Sequence, residues 1–329
     1  MKNFSDRIAV VTGGGTGMGR ELVIALAAEG CHVGMCDVSA DNMAETRRLA
    51  QVKAPAGVRI TTHLCDVSSE QQMQAFRDAV CAEHATDHIN LLFNNAGIGG
   101  GGGFVAGDRE LWERTFGVCW YGVYYGCRTF LPLLVASEEG HVVNTSSVNG
   151  FWASIGPGVE HTAYCAAKFA VKGFTEALIT DLAMNAPHVH ASVVMPGHIG
   201  TSIALNTSTV LGQRGALEMS AAEVDAVRQR MVARGLPVGN LPDEQIRAAM
   251  HQRAIDFRDK APTTAAQAAN IILDGVRAQR WRILVGDDAV RLDRMVREDP
   301  ENAYTVDFMR RVWGEGLLGG LTQAPEQAR

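Results

Sequence analysis

The chain has 329 residues, 47% of them hydrophobic and 20% charged, with a formal net charge of −6. That length holds one large α/β domain or two small ones, and the apolar share excludes disorder. No basic cluster marks a nucleic-acid surface, and no apolar stretch reaches the roughly 18 residues a spanning helix needs, so neither nucleic acid nor membrane is expected as a partner.

The first strand-like run, 8–12, begins too early to leave room for a signal peptide, so a cytoplasmic protein is expected. The cysteines Cys31, Cys36, Cys65, Cys81, Cys119, Cys127 and Cys165 are odd in number and include no C-x-x-C pair, so neither a disulfide framework nor a metal site is indicated.

After the first strand comes Thr12-Gly13-Gly14-Gly15-Thr16-Gly17-Met18-Gly19, which opens a helix over 18–29. Glycine lets the backbone turn tightly and approach a pyrophosphate, and the helix N-terminus offers free N–H groups and a positive dipole end. A tight strand–helix turn is the plainer alternative. The second strand, 31–37, ends on Asp37, 18 residues beyond Gly19. An acid there accepts hydrogen bonds from both adenine-ribose hydroxyls and repels a 2′-phosphate. Neither Thr16 nor Val38 supplies a cation to offset that repulsion, so NAD is the expected cofactor.

A helix over 40–52 leads to a strand at 59–65 followed by Asp66, which either faces the adenine amino group or caps a turn. A helix over 70–83, a strand at 89–94, a glycine run at 99–103, a long helix over 109–135 and a strand at 141–146 follow. Ser147 stands just after that strand. The segment 156–161 reads as a small loop insertion, in which His161 either tunes Tyr164 or touches substrate or, more simply, lies in solvent. On the helix over 162–185, Tyr164 and Lys168 are four residues apart and share a face. A free phenol titrates near ~10, and a neighbouring ammonium lowers it toward a usable base. The same spacing also occurs in exposed Tyr–Lys pairs.

Strands at 189–195 and 281–285 complete the pattern. Near-continuous apolar strands alternating with helices imply a single Rossmann-like, doubly wound parallel sheet of about seven strands. His188 and His190 lack a third ligand and read as a strand edge. Between 200 and 262, Val224, Val227 and Met231 form one apolar stripe, and Ile246, Met250 and Phe257 another. Residues 1–286 are thus expected to form the catalytic domain, with 201–262 as a helical substrate lid. Residues 287–329 are expected to be a helical extension on the same domain, with Arg291, Arg294 and Arg297 on a solvated face.

These segments, taken together and in order, resemble the short-chain dehydrogenase/reductase family over residues 5–286. They are TGGGTGMG at 12–19, Asp37, Asp66, NNAG at 94–97, NTSS at 144–147, YCAAK at 164–168 and PGHIGT at 196–201. The resemblance implies Ser147, Tyr164 and Lys168 as the catalytic set. It implies that the glycine loop, Asp37, Val38, Asp66, Val67, Asn95, Ala96 and Gly97 bind NAD. It further implies that Pro196, Gly197, Ile199 and Thr201 hold the nicotinamide carboxamide. Cys119 stands where the family has a relay asparagine whose main-chain carbonyl serves a water near the lysine, and Cys keeps that carbonyl. The 17-residue step from Ser147 to Tyr164 is longer than usual.

The expected protein is an NAD(H)-dependent secondary-alcohol dehydrogenase or ketoreductase, a homodimer or homotetramer. Its lid would roof a bulky apolar substrate, steroid-like, terpenoid or aryl, with Phe104, Trp152 and His198 lining the opposite side. An NADPH-linked reductase and a dinucleotide sensor with little turnover are the alternatives.

Overall fold

In the computed structural model, residues 1–100, 102–156, 159–233 and 236–317 are described. The first half alternates β1 (Ile8–Thr12), α1 (Gly17–Ala28), β2 (His32–Asp37), α2 (Ala40–Lys53), β3 (Ile60–Leu64), α3 (Glu70–His84) and β4 (Leu91–Asn94). Then come α4 (Arg109–Phe116), α5 (Gly122–Val135), β5 (Gly140–Thr145), α6 (Thr162–Asn185), β6 (Val189–Pro196) and β7 (Ile199–Gly200). The remainder is α7 (Ile203–Val210), α8 (Ala221–Ala233), α9 (Asp243–Asp259), β8 (Thr263–Thr264), α10 (Ala265–Arg277), β9 (Arg282–Val285), α11 (Asp287–Glu298) and α12 (Val306–Gly314).

Seven strands form one parallel sheet in the order β3-β2-β1-β4-β5-β6-β9. Alternate residues of each central strand feed two cores. Ala9 and Val11 pack with Leu22 and Leu26 of α1 and Ile272 and Val276 of α10. Ile8 and Val10 pack with Phe76 of α3, Phe130 of α5 and Val171 of α6. Strands covered on both faces are near-continuously apolar, and β1 is buried throughout, with Thr12 its one polar residue. The order reverses between β1 and β4, and a crevice opens there at the carboxyl ends of the strands.

The structure departs from the sequence expectations in three places. The long helix over 109–135 is interrupted by a wider π turn at Gly117–Tyr121, and Cys119 sits in that turn. The two lid stripes do not form a roof. Val224 and Val227 of α8 pack on Ile246 of α9, with Met231 and Met250 around them, so the stripes bury each other. The helix over the crevice is instead α7, whose short IALNTSTV sequence carries no stripe and buries no residue fully.

The third departure concerns Trp152, expected beside the substrate and found beneath the helical extension. Leu292 of α11 and Phe308 and Val312 of α12 enclose Trp152. The Trp152 indole Nε1–H donates to the Ala303 carbonyl at 2.8 Å. An Arg282–Asp293 ion pair ties α11 to β9. The arginines Arg291 and Arg297 pair with Glu315 and Asp293 respectively. Residues 318–329 of the expected extension lie outside the described residues. No described helix is long and apolar enough to cross a membrane.

Candidate active site

The glycine loop leaves β1 with Gly13 at φ +65° and Gly17 at φ +55°, a backbone that side chains rarely tolerate. A Cβ on Gly13 would meet the Ala96 Cα at 2.8 Å. On Gly19 it would meet the Gly13 carbonyl oxygen at 2.0 Å, so Gly19 permits α1 to pack against the loop and does not itself face the crevice. The Asn95 and Ala96 N–H groups donate to Thr12 Oγ1 at 3.0 and 3.1 Å, fastening the ends of β1 and β4 together. Asn95 Oδ1 is buried without a partner.

Asp37 projects from the end of β2. The Gly15 N–H donates to its Oδ2 at 3.0 Å and the Ser39 N–H to its Oδ1 at 3.1 Å. A Cβ on Gly15 would fall 2.8 Å from Oδ2, so Gly15 makes room for the carboxylate. Asp66 follows β3. Burial opposes its charge, yet the Arg114 guanidinium at 2.7 Å and the Ser68 hydroxyl and N–H hold its carboxyl below the usual range. Arg114 had no sequence signal beyond its position on a helix.

A groove of about 580 Å³ joins these elements. Gly13, Thr16, Gly17, Met18, Asp37 and Val38 line one wall. Asp66, Val67, Asn95, Ala96, Gly97 and Thr201 line the other, and Ile203, Asn206 and Val210 of α7 close it. Pro196, Gly197 and Ile199 are not among the residues that line it. Pro196 and Ile199 are buried, and a Cβ on Gly197 would meet the Asp288 carboxylate at 2.3 Å. Only Thr201 of the proposed carboxamide segment faces the groove.

Beyond Gly97 the structure gathers Ser147, Tyr164, Lys168 and Cys119. Strand β5 delivers Ser147, and α6 carries Tyr164 and Lys168 on one face. The Ser146 hydroxyl donates to the Lys168 carbonyl at 2.7 Å, pinning α6 to β5. Lys168 Nζ donates to the Thr145 carbonyl at 2.9 Å and lies 5.4 Å from the Tyr164 ring centre. A Cβ on Gly97 would lie 3.6 Å from Nζ and 3.9 Å from Cys119 Sγ, so ammonium and thiol share one pocket wall. The buried Cys119 thiol donates to the Ile98 carbonyl at 3.2 Å.

Burial lowers the Lys168 pKa, with the Cys119 thiol acting in the opposite sense. Burial also pushes the Tyr164 phenol up, and the Cys119 thiol adds to this. The Ser147 hydroxyl, hydrogen-bonded to it, works the other way. Desolvation is thus the largest influence on the phenol in this arrangement.

Three further expectations are corrected. Trp152 is 1% exposed and belongs to the core beneath the extension, not to a substrate pocket. His198 is equally buried. Its N–H donates to Asp288 Oδ2 at 2.7 Å, its Nε2 contacts the Phe257 carbonyl, and its ring lies 4.3 Å from that of Phe257. It ties α9 and α11 together and is not among the residues lining the groove. His161 is not a solvated loop residue. Its imidazole stacks on Tyr164 with ring centres 4.6 Å apart, and burial lowers its pKa to about 4. Phe104 is 77% exposed and rests edge-on against Trp112 at the rim.

A chain with this sheet order, glycine loop and Ser–Tyr–Lys cluster is an oxidoreductase of the short-chain dehydrogenase type. The sequence model of the family described as short chain dehydrogenase matches residues 7–210, and the protein belongs to that family. SadH of Mycobacterium tuberculosis, named as an oxidoreductase, is 32% identical over 297 residues, 90% of this chain and 92% of that one. Epidermal retinol dehydrogenase 2 of Mus musculus is 32% identical over 203 residues, 61% of this chain and 63% of its own. Among solved structures, a short-chain dehydrogenase/reductase from Burkholderia phymatum in complex with NAD superposes with a TM-score of 0.72. It is 30% identical and covers 92% of this chain and 96% of its own. A metagenomic short-chain oxidoreductase in complex with NADP gives a TM-score of 0.52 at 29% identity, covering 59% of this chain and 83% of its own.

Proposed function

We propose that the protein is an NAD(H)-dependent alcohol dehydrogenase or ketoreductase. The observation that carries this reading is the clustering of Ser147, Tyr164 and Lys168 beside Gly97, which lines the same groove as the Asp37 carboxylate. The groove fits a dinucleotide. Its left-handed glycines admit a pyrophosphate, and Asp37 and Asp66 offer acceptors for ribose and adenine. Bound there, a nicotinamide supplies the hydride acceptor or donor. The protein supplies orientation and proton handling. Ser147 Oγ orients the substrate oxygen and stabilises its developing charge. Tyr164 Oη exchanges the proton with that oxygen, and Lys168 Nζ stabilises the phenolate form. Burial holds the phenol in its protonated form, which can give a proton to a ketone oxygen in reduction, whereas oxidation requires its prior ionisation.

The substrate class we propose is an apolar secondary alcohol or ketone. The apolar contacts that support it come from α7 (Ile203 and Val210) and not from the α8 and α9 stripes. A relative that is named a levodione reductase, from Leifsonia aquatica and 31% identical over 208 residues, supports a ketone substrate. We also propose self-association through the π turn, α5 and α6, where Trp120, Tyr124 and Phe174 form a partly buried aromatic cluster and Phe169 of α6 is exposed. Light scattering should then show a dimer or tetramer. Absorbance of NADH formed from steroid, terpene and aryl alcohols tests the main reading. Turnover of at least one class is expected. Saturable NAD binding without turnover of any would favour a sensor.

A further inference from the structure

Helix α7 touches both margins of the groove. On the phosphate-loop side, Asn206 Nδ2 donates to Thr16 Oγ1 at 3.1 Å. On the far side, the Gly99 N–H donates to Thr207 Oγ1 at 3.0 Å. Thr16 is the N-cap of α1, yet its hydroxyl oxygen accepts no N–H from that helix. Threonine at an N-cap ordinarily satisfies one of the free helical donors. Here the Asn206 amide occupies the Thr16 oxygen as donor. The first N–H groups of α1 stay unpaired, and the Thr16 hydroxyl keeps its own hydrogen to give.

From this geometry we infer that Asn206 is a positioning residue for the dinucleotide pyrophosphate. Its amide turns the Thr16 hydroxyl into a donor toward the phosphate oxygens and couples the seating of α7 to occupation of the loop. The inference rests on the dinucleotide reading above. A partner for a donor chain of this kind must be anionic and must reach the α1 N-terminus, which a pyrophosphate does and a bare nucleoside does not.

The test measures binding of NAD, ADP-ribose and adenosine by calorimetry to wild type, Asn206→Ala, Thr16→Ala and the double variant, each checked for an unchanged melting temperature. Loss of one hydrogen bond at a charged group predicts NAD and ADP-ribose weakened about fivefold to tenfold in Asn206→Ala. Adenosine binding should be unchanged. The double variant should bind no more weakly than Thr16→Ala, because the two residues act as one unit. In limited proteolysis, NAD should protect the 203–210 segment in wild type and less so in Asn206→Ala. Wild-type affinity of Asn206→Ala for ADP-ribose, an equal loss for adenosine, or additive losses in the double variant would overturn the inference. If wild type binds none of the three ligands, the dinucleotide reading itself fails.

Discussion

Replacing Asp37 with serine should remove the preference for NAD over NADP. Backbone donors from Gly15 and Ser39 hold the two Asp37 oxygens, so the carboxylate cannot swing away from an incoming 2′-phosphate. Two like charges ~4 Å apart repel by about 4 kcal/mol at an effective dielectric of ~20. Asp37 is half-buried, so solvent screening reduces this to roughly 2–3 kcal/mol, or about two orders of magnitude in relative affinity. Serine retains an acceptor for the Gly15 N–H and a hydroxyl for the ribose but carries no charge. The assay is kcat/KM with NAD and with NADP at matched ionic strength. Wild type should favour NAD about 100-fold, with the margin shrinking as salt rises. Asp37→Ser should bring the ratio to within about tenfold of unity, mainly by improving NADP. Comparable kcat/KM for the two cofactors in wild type, or a ratio untouched by the substitution, would refute the electrostatic argument.

Tyr164→Phe should keep NAD binding and lose ~100-fold or more of kcat, since the phenol acts in the chemical step; retention of more than about a tenth would place the proton exchange elsewhere. Because burial raises that phenol, the rate of alcohol oxidation should climb with pH through the neutral range while ketone reduction stays flat. Cys119→Ala should remain active and Cys119→Asn should match wild type, if only the main-chain carbonyl in the π turn serves the relay; inactivity of Cys119→Ala would assign a role to the thiol. Trp152→Ala should destabilise the fold by about 3–5 kcal/mol and lower Tm, because a fully buried indole and its bond to Ala303 are lost together, with little change in KM. His84 and His141 are buried and neutral, with pKa values lowered to about 4 and about 3. The unfolded chain binds protons at these histidines below pH ~6.5 and the folded chain does not, so stability should fall as pH drops from there, by up to about 1.4 kcal/mol per pH unit per histidine. Urea midpoints at neutral and mildly acidic pH check this; a midpoint that His141→Gln leaves equally pH-sensitive would count against it.

The fold was legible because its signals are local. Strands buried on both faces read as near-continuous apolar runs, so β1, β4 and β5 stand out without alignment. Tyr164 and Lys168 share a face by helical geometry alone, and Asp37 and Asp66 follow strands whose ends a parallel sheet must bring to one edge. Periodicity identified α8 and α9 correctly as amphipathic. It could not say what their stripes face, and only packing revealed that Val224, Val227 and Ile246 cover one another. Nor could it find α7, because a short helix laid over a groove buries no stripe and leaves no pattern. Trp152 and His198 were misplaced for the same reason: nearness in sequence to Ser147 and Pro196 does not determine which side of the backbone a side chain takes. The extension after β9 captured Trp152, and α9 and α11 captured His198. Loop composition favours solvent for His161 over a place beside Tyr164, whereas the turn at the start of α6 folds it onto Tyr164. Local sequence therefore determined the strands, the helical faces and the order of the chemistry-bearing residues. Which surfaces met was decided by long-range burial, since an apolar side chain packs against whatever the rest of the chain brings to it.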